Sequence, residues 1–257
     1  MDKTYSTSEV AKIIGIHPNT VRLYEELELI SRPRRQPNGY RIFTRQHIEQ
    51  FQIARLAFQV EVLQNGLRKQ AVRIIKAAAR NEFSEAIVLT QEYLQQVERE
   101  QKNAEEAIEI TEGLFDRGLQ EDEDASLRLT RKETADLLCI TIDTLRNWEL
   151  NGLLSVKRKH NGYRVYTDRD IRRLKIIRSL RCANYSLASI LRMLRAVDVD
   201  PGTDIKAIID TPKAGEDIIS ACDQLLSSLS HAKKNFQVIE RRLCAMRKYY
   251  PTVYHQT

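Results

Sequence analysis

Cysteine is scarce in this chain, and the four present, Cys139, Cys182, Cys222 and Cys244, show no CxxC spacing. That excludes a disulfide framework or a thiolate metal cage read from spacing. Each cysteine is expected to be a buried small apolar residue. Cys222 and Cys244 stand too far apart along a helix to share a metal. The five histidines, His17, His47, His160, His231 and His255, form no ligand cluster, so no cofactor or metal is expected. Glycine (9) and proline (6) are also few among 257 residues, and with abundant Leu, Ile, Ala, Glu, Arg and Gln this favours helix. No apolar run approaches the roughly 18 residues of a membrane span. The polar, charged start MDKTYSTSEV does not read as a signal peptide. The plain expectation is a reduced, cytosolic setting with free thiols. The chain has no nucleophile–base pairing, phosphate loop or metal motif, so it is not expected to be an enzyme.

What is present is basic charge, unevenly placed. The formal charge is +6. From Arg32 to Arg73 there are 9 Lys/Arg against 2 acids, and from Lys157 to Arg195 there are 12 against 2. Between them, Glu98 to Asp124 carries 11 acids against 3 bases. Two basic blocks point to a polyanionic partner, although solvated helix faces would show the same counts.

The basic blocks belong to a repeat. At an offset of 124 residues, YSTSEVAKIIGIHPNTVRLYEELELIS aligns with LRLTRKETADLLCITIDTLRNWELNGLLS. Glu9 meets Glu133, Ala11 meets Ala135, Thr20 meets Thr144, Arg22 meets Arg146 and Glu25 meets Glu149. NGYRIFT at Asn38 and NGYRVYT at Asn161 then align at an offset of 123. Each copy opens on a capping box, Ser6-x-x-Glu9 and Thr130-x-x-Glu133, which satisfies free amides at a helix start. Gly15 ends the first helix, and Cys139 takes its place in the second copy. After a tight turn, His17-Pro18 opens a second helix over 18–26, and Thr141 caps its counterpart over 142–150. The pair reads as a helix-turn-helix. The segments LISRPRRQPNGYRIFT and LLSVKRKHNGYRVYT follow as strand, Asn-Gly turn and strand, a small basic hairpin or wing. Thr44, Thr167 and Ser186 cap further helices, and Asn184 supplies a helix-ending residue. The counterpart of the Ser186 helix runs from Leu63 to Ala79, with Asn65-Gly66 as its turn.

Two matched apolar stripes complete the pattern. Phe83, Ile87, Thr90, Leu94, Val97, Gln101, Ala104, Ile108, Thr111 and Phe115 are spaced alternately by 4 and 3 residues. Ile218, Cys222, Leu225, Leu229, Ala232, Phe236, Ile239, Leu243, Met246 and Tyr250 repeat the spacing. This is a heptad seam. A helix carrying it would be roughly 50 Å long and needs a partner of matching length. The expected organisation is a first module at 1–80, a long helix at 81–117, an acidic linker at 118–127 and a second module at 128–197. A connector with a short helix at 198–215, a second long helix at 216–250 and a tail at 251–257 complete it.

TVRLYEELELI…NGYRIFT and TLRNWELNGLL…NGYRVYT resemble the MerR family of bacterial transcription regulators, with a recognition helix and a GYR-x-aromatic-T wing. The resemblance covers both modules and extends to the long helices. It implies a cytoplasmic, nucleoid-associated regulator that binds double-stranded promoter DNA, with RNA polymerase as a further partner. The family binds as a homodimer through an antiparallel coiled coil, whereas this chain carries two modules and two long helices, with little after Tyr250. The expected fold is therefore mainly α, with two winged helix-turn-helix domains, each followed by a long coiled-coil helix. The two long helices pair antiparallel within the chain as a pseudo-dimer, with an ordinary homodimer as the alternative.

The resemblance places Arg22 and Arg146 at the DNA, where arginine can grip phosphate or read guanine. It carries Tyr24 and Trp148 to the phosphate backbone, with a core ring as the other reading. On the wings, Tyr40, Arg41, Tyr163 and Arg164 can straddle a phosphate, unless the two tyrosines pack on the recognition helix. Arg34, Arg35, Arg158 and Lys159 add salt-sensitive contacts. The base-facing residues differ between copies: His17, Asn19 and Thr20 against Thr141, Asp143 and Thr144. Asn can pair with adenine and Asp can accept from cytosine N4, or Asp143 simply suits a helix N-terminus. Unequal half-sites are expected. By resemblance, the DNA would be bent and untwisted between promoter elements set too far apart. Two other functions fit the same scaffold: a recombination accessory factor, or a sensor of a hydrophobic ligand or drug. In the latter, an unknown small-molecule effector would sit near VDVDPGTDIKAIIDTPKAGED.

Overall fold

The computed structural model describes residues 3–59, 66–118, 128–156, 164–200, 202–211 and 224–250. It is mainly helical, with eleven α-helices and one two-stranded hairpin among the described residues. The chain forms two compact units, residues 1–99 with 228–257, and residues 100–227.

In the first unit, α1 (Thr7–Ile14) starts at the Ser6–Glu9 capping box and stops at Gly15, whose φ of 72° is left-handed. α2 (Pro18–Glu26) follows. β1 (Arg34–Arg35) pairs antiparallel with β2 (Arg41–Ile42), in the register Arg34–Ile42 and Arg35–Arg41. A further bridge ties Tyr5 to Phe43. α3 (Arg45–Phe58) is capped by Thr44, with His47 returning the capping bond. α4 (Leu67–Ala79) begins after Gly66, and the residues of its expected first turn, 63–65, lie outside the described residues. Val10, Val21, Tyr24, Leu29, Phe43 and Phe51 form the core of the module. Gln50 is buried and fully used. Its carbonyl accepts from the Ser31 amide at 2.9 Å, and its amide donates to the Ala78 carbonyl at 2.9 Å.

α5 (Phe83–Gly118) gives its first part to this unit, and so does most of α11 (Leu225–Tyr249). Tyr93 stacks on Phe236 with ring centroids 3.7 Å apart. Gln91 donates to Glu240 at 2.9 Å, and Lys233 pairs with Glu98 at 3.0 Å. As the α5 number rises the α11 number falls, so the two segments run antiparallel. α11 also seats on α3. Asn235 donates to the Leu56 carbonyl at 3.2 Å, and Arg242 reaches Glu49 and Gln52, each at 2.6 Å.

The second unit repeats the module. α6 (Arg131–Leu137) starts at the Thr130–Glu133 capping box, and α7 (Ile142–Leu150) is capped by Thr141. Leu129 bridges to Tyr166, as Tyr5 does to Phe43. α8 (Asp168–Cys182) and α9 (Leu187–Val199) start at Thr167 and Ser186, with Asn184 left-handed between them at φ 71°. Leu145, Trp148, Leu153, Tyr166 and Leu174 occupy the core positions that match Val21, Tyr24, Leu29, Phe43 and Phe51, and Thr134 is buried where Val10 stands in the first module. The short α10 (Ile205–Ile209) follows on the connector, and the buried Arg192 donates to its last carbonyls, Ile208 and Ile209, at 3.0 and 3.1 Å. Asp210 then caps the start of α11, accepting from the Leu226 and Ser227 amides.

Two expectations change. Cys139, Cys182 and Cys244 are exposed, not buried. Cys139 sits in the turn after α6 at a φ of 50°, Cys182 is the last residue of α8, and Cys244 lies one step off the buried Leu243, which turns it about 100° around the helix. Cys222 lies outside the described residues. Along α5, Tyr93 is buried where Leu94 is only half-buried, so the aromatic ring carries that step of the seam. On α11, all seven described seam residues from Leu225 to Met246 are buried. Ile218, most of the acidic linker (residues 119–127) and the tail are outside the described residues. No described helix is long and apolar enough to cross a membrane.

Candidate nucleic-acid interface

The recognition helices are set by their caps and by one buried face each. On α2, the His17 ring nitrogen Nδ1 accepts from the Asn19 amide at 3.2 Å, and Pro18 fills the first position, where no donor is needed. Val21 and Tyr24 point into the core. Asn19, Arg22, Leu23 and Glu26, at steps of 3, 1 and 3, form the exposed stripe, with His17 exposed at its head. Arg22 donates to the Asn19 carbonyl oxygen at 3.2 Å, which leaves the Asn19 NH2 group facing outward as a donor. On α7, the Thr141 hydroxyl accepts from the Thr144 amide at 3.0 Å. Leu145 and Trp148 turn inward, while Thr141, Asp143, Arg146, Asn147 and Leu150 are exposed. Thr20 and Thr144 are half-buried at matching places.

Tyr24 is 7% and Trp148 4% exposed. Tyr24 stacks on Phe51 at 5.3 Å, and burial pushes its hydroxyl above the usual tyrosine range. Both rings are buried in the cores of their modules, the second of the two places expected for them. They lie at i+2 from the arginines, about 200° around the helix, so an outward Arg22 or Arg146 puts the ring inward.

The first wing is a tight hairpin. Gln36 donates to the Tyr40 carbonyl at 2.8 Å, and Gly39 turns the chain at a φ of 84°, which a side chain would strain. Tyr40 stands 71% exposed at its tip, free of the recognition helix, and Arg34 and Arg35 are exposed on the outgoing strand. Arg41 is different. Its guanidinium lies against the Glu25 carboxylate, and Arg35 reaches the same carboxylate at 3.4 Å. Glu149 plays the same part in the second module. It accepts from Arg131 at 2.7 Å, pairs with Arg164 at 3.1 Å, and accepts a hydrogen bond from the Tyr166 hydroxyl. Burial, then that bond to Glu149, pushes the Tyr166 hydroxyl up to about 12. Arg158, Lys159 and Tyr163 lie outside the described residues.

Glu25 and Glu149 were aligned in the sequence without partners, and the structure supplies them. Their signal was their coincidence at the repeat offset, but a carboxylate in a basic segment shows its partners only once the hairpin has folded back. A cleft of about 610 Å³ opens beside the first clamp, bounded by Glu25, Glu28, Arg32, Arg41, Lys76 and Arg80. Its lining is polar and carries both signs of charge, which does not suit an apolar ligand. No group of three or more His, Cys, Asp or Glu stands together among the described residues.

Comparison with known proteins agrees with this geometry. The model of the MerR family regulatory protein matches residues 6–43, and that of the MerR HTH family regulatory protein matches residues 129–197. The chain is 45% identical over 53 residues to the HTH-type transcriptional regulator CueR of Escherichia coli O6:H1, which covers 21% of this chain and 39% of that protein. It is 39% identical over 70 residues to the HTH-type transcriptional regulator ZntR of Escherichia coli K12, covering 27% and 49%. The chain thus spans half or less of the length of these relatives. No solved structure matches it significantly. With one match on each of two modules that fold alike, the chain carries two helix-turn-helix domains of MerR type.

Proposed function

We propose that this protein regulates transcription by binding double-stranded promoter DNA in a sequence-specific way, and that one chain supplies both modules of the bound pair. The observation that carries the second half is the seat of α11. This helix follows the second module in sequence, yet it packs on α3 of the first through Asn235 and Arg242, and on α5 through the Tyr93–Phe236 stack. A helix held by the other copy's module is what a two-chain pair would make between chains, here made within one. The pseudo-dimer follows, with an antiparallel coiled coil between α5 and α11.

The same reading makes the operator asymmetric. The exposed stripes pair Asn19 with Asp143, Leu23 with Asn147 and Glu26 with Leu150, so only Arg22 and Arg146 present the same chemistry. Asn favours adenine, and Asp favours cytosine N4. DNA bending and untwisting would then make indirect readout part of the binding energy, with RNA polymerase engaging the distorted promoter.

Light scattering of the chain, alone and with a duplex selected from a random pool, tests the proposal. A free mass near 29.8 kDa and one chain per duplex, with a footprint of two unlike halves, are expected. Two chains per duplex, or a perfect palindrome bound equally at both halves, would overturn the pseudo-dimer. Absence of binding to any duplex would overturn the DNA-binding reading.

A further inference from the structure

We infer that Glu25 and Glu149 are positioning residues of the DNA interface. Each holds the wing to its recognition helix by engaging the return-strand arginine, so that Arg41 and Arg164 serve the interface through a carboxylate and do not grip phosphate. The inference rests on the DNA-binding reading and changes the role of two of its residues.

The geometry is repeated in both modules with different parts. Glu25 lies in the last turn of α2 with its side chain 10% exposed, and Arg41, on β2, is 20% exposed against it. Arg35 closes the other side, reaching Glu25 at 3.4 Å and the Gly39 carbonyl at 3.4 Å, which links the carboxylate to the wing's turn. In the second module the Glu149 side chain is 6% exposed. Its donors come from α6 (Arg131) and from the residues just before α8 (Arg164 and Tyr166). Thr7 and Phe43 stand where Arg131 and Tyr166 do, so the first module has neither of those donors at the matching places. What the two modules share is the carboxylate and the return-strand arginine.

Energetics favour the clamp over a phosphate contact. A carboxylate this buried is costly when unpaired, and removing one partner of such a pair is strongly destabilising. For Arg41 to reach a phosphate it would have to give up its contact with Glu25 and leave that carboxylate to Arg35 alone, at 3.4 Å. Arg22, Arg34 and Tyr40 are exposed and carry no such debt. A helix and a wing tied at one point enter the groove and meet the backbone as a unit, and that fixed angle pre-organises the interface.

The dependence of binding on salt separates the two roles, because each guanidinium that neutralises a phosphate contributes about −0.9 to the slope of log K against log salt. The full chain and a selected operator duplex are used. The paired neutral variant E25Q/R41Q is expected to weaken binding by about tenfold while leaving the slope unchanged, because the clamp is lost but no phosphate contact is. R34Q, which alters an exposed wing arginine, calibrates the assay with a slope flatter by about 0.9. E25Q alone, which releases the guanidinium, is expected to steepen the slope. A slope flatter by about 0.9 in E25Q/R41Q would overturn the inference, because Arg41 would then hold phosphate itself. Unchanged affinity at every salt concentration would overturn it too. Circular dichroism checks the fold, and E149Q/R164Q repeats the comparison in the second module should the first pair not fold. A wild-type chain that binds no duplex would instead sink the DNA-binding reading and the inference with it.

Discussion

Replacing Phe236 with alanine removes one of two rings that meet face to face at 3.7 Å with an interplanar angle of 20°. Both Phe236 and Tyr93 are 2% exposed, so little room exists for water to fill the gap. A buried Phe→Ala change costs about 3–5 kcal/mol in transfer and cavity terms, and the lost ring pairing adds about 0.5–1.5 kcal/mol. With a urea slope of about 3 kcal/mol/M for a chain of this size, the unfolding midpoint should fall by about 1–2 M. The assay is urea unfolding followed by far-ultraviolet ellipticity, which sees both units. Fluorescence of Trp148, the single tryptophan, reports the second unit and shows whether the transitions separate. Val88→Ala, at an exposed position of α5, the helix that carries Tyr93, serves as the control and should stay within about 0.5 kcal/mol. A loss below about 1 kcal/mol in F236A would refute the pairing of α5 with α11.

His47 is buried, and burial pushes its pKa down to about 4 from about 6.5 in the unfolded chain. The folded state therefore holds it neutral, stability is fully present above about pH 6.5, and up to about 3 kcal/mol is lost as pH falls towards 4. Urea midpoints against pH should show that slope, and His47→Gln should remove it. Gln50→Ala takes away the acceptor of the Ser31 amide and one of the donors to the Ala78 carbonyl, and thermal unfolding should show a loss of about 1–3 kcal/mol. Cys139 holds a φ of 50° where Gly15 holds 72°. Cys139→Gly should accordingly stabilise by about 1 kcal/mol, and Gly15→Ala should destabilise by a similar amount, although nothing lies within 4 Å of the added carbon. Opposite signs in the same denaturation assay are the check.

Short-range signals were readable from the chain alone. The spans Pro18–Glu26 and Ile142–Leu150 emerge with the expected ends, because caps, Pro18 and the turns act through atoms within about four residues of one another. The repeat told which residues align, and the second seam is buried at each step from Leu225 to Met246, because heptad spacing fixes a face before any partner is known. Tertiary structure decided the rest. Tyr24 and Trp148 went inward because Phe51 and its counterparts on α8 wait there. Tyr93 displaced Leu94 from the seam because Phe236 met it. Cys139, Cys182 and Cys244 came to the surface because they sit in a turn, at a helix end and one step off the seam. Arg41 and Arg164 were claimed by Glu25 and Glu149, which lie 16 and 15 residues away along the chain. A charge in a sequence announces only its sign, while its partner is settled when distant segments fold back and burial makes an unpaired carboxylate too costly to keep.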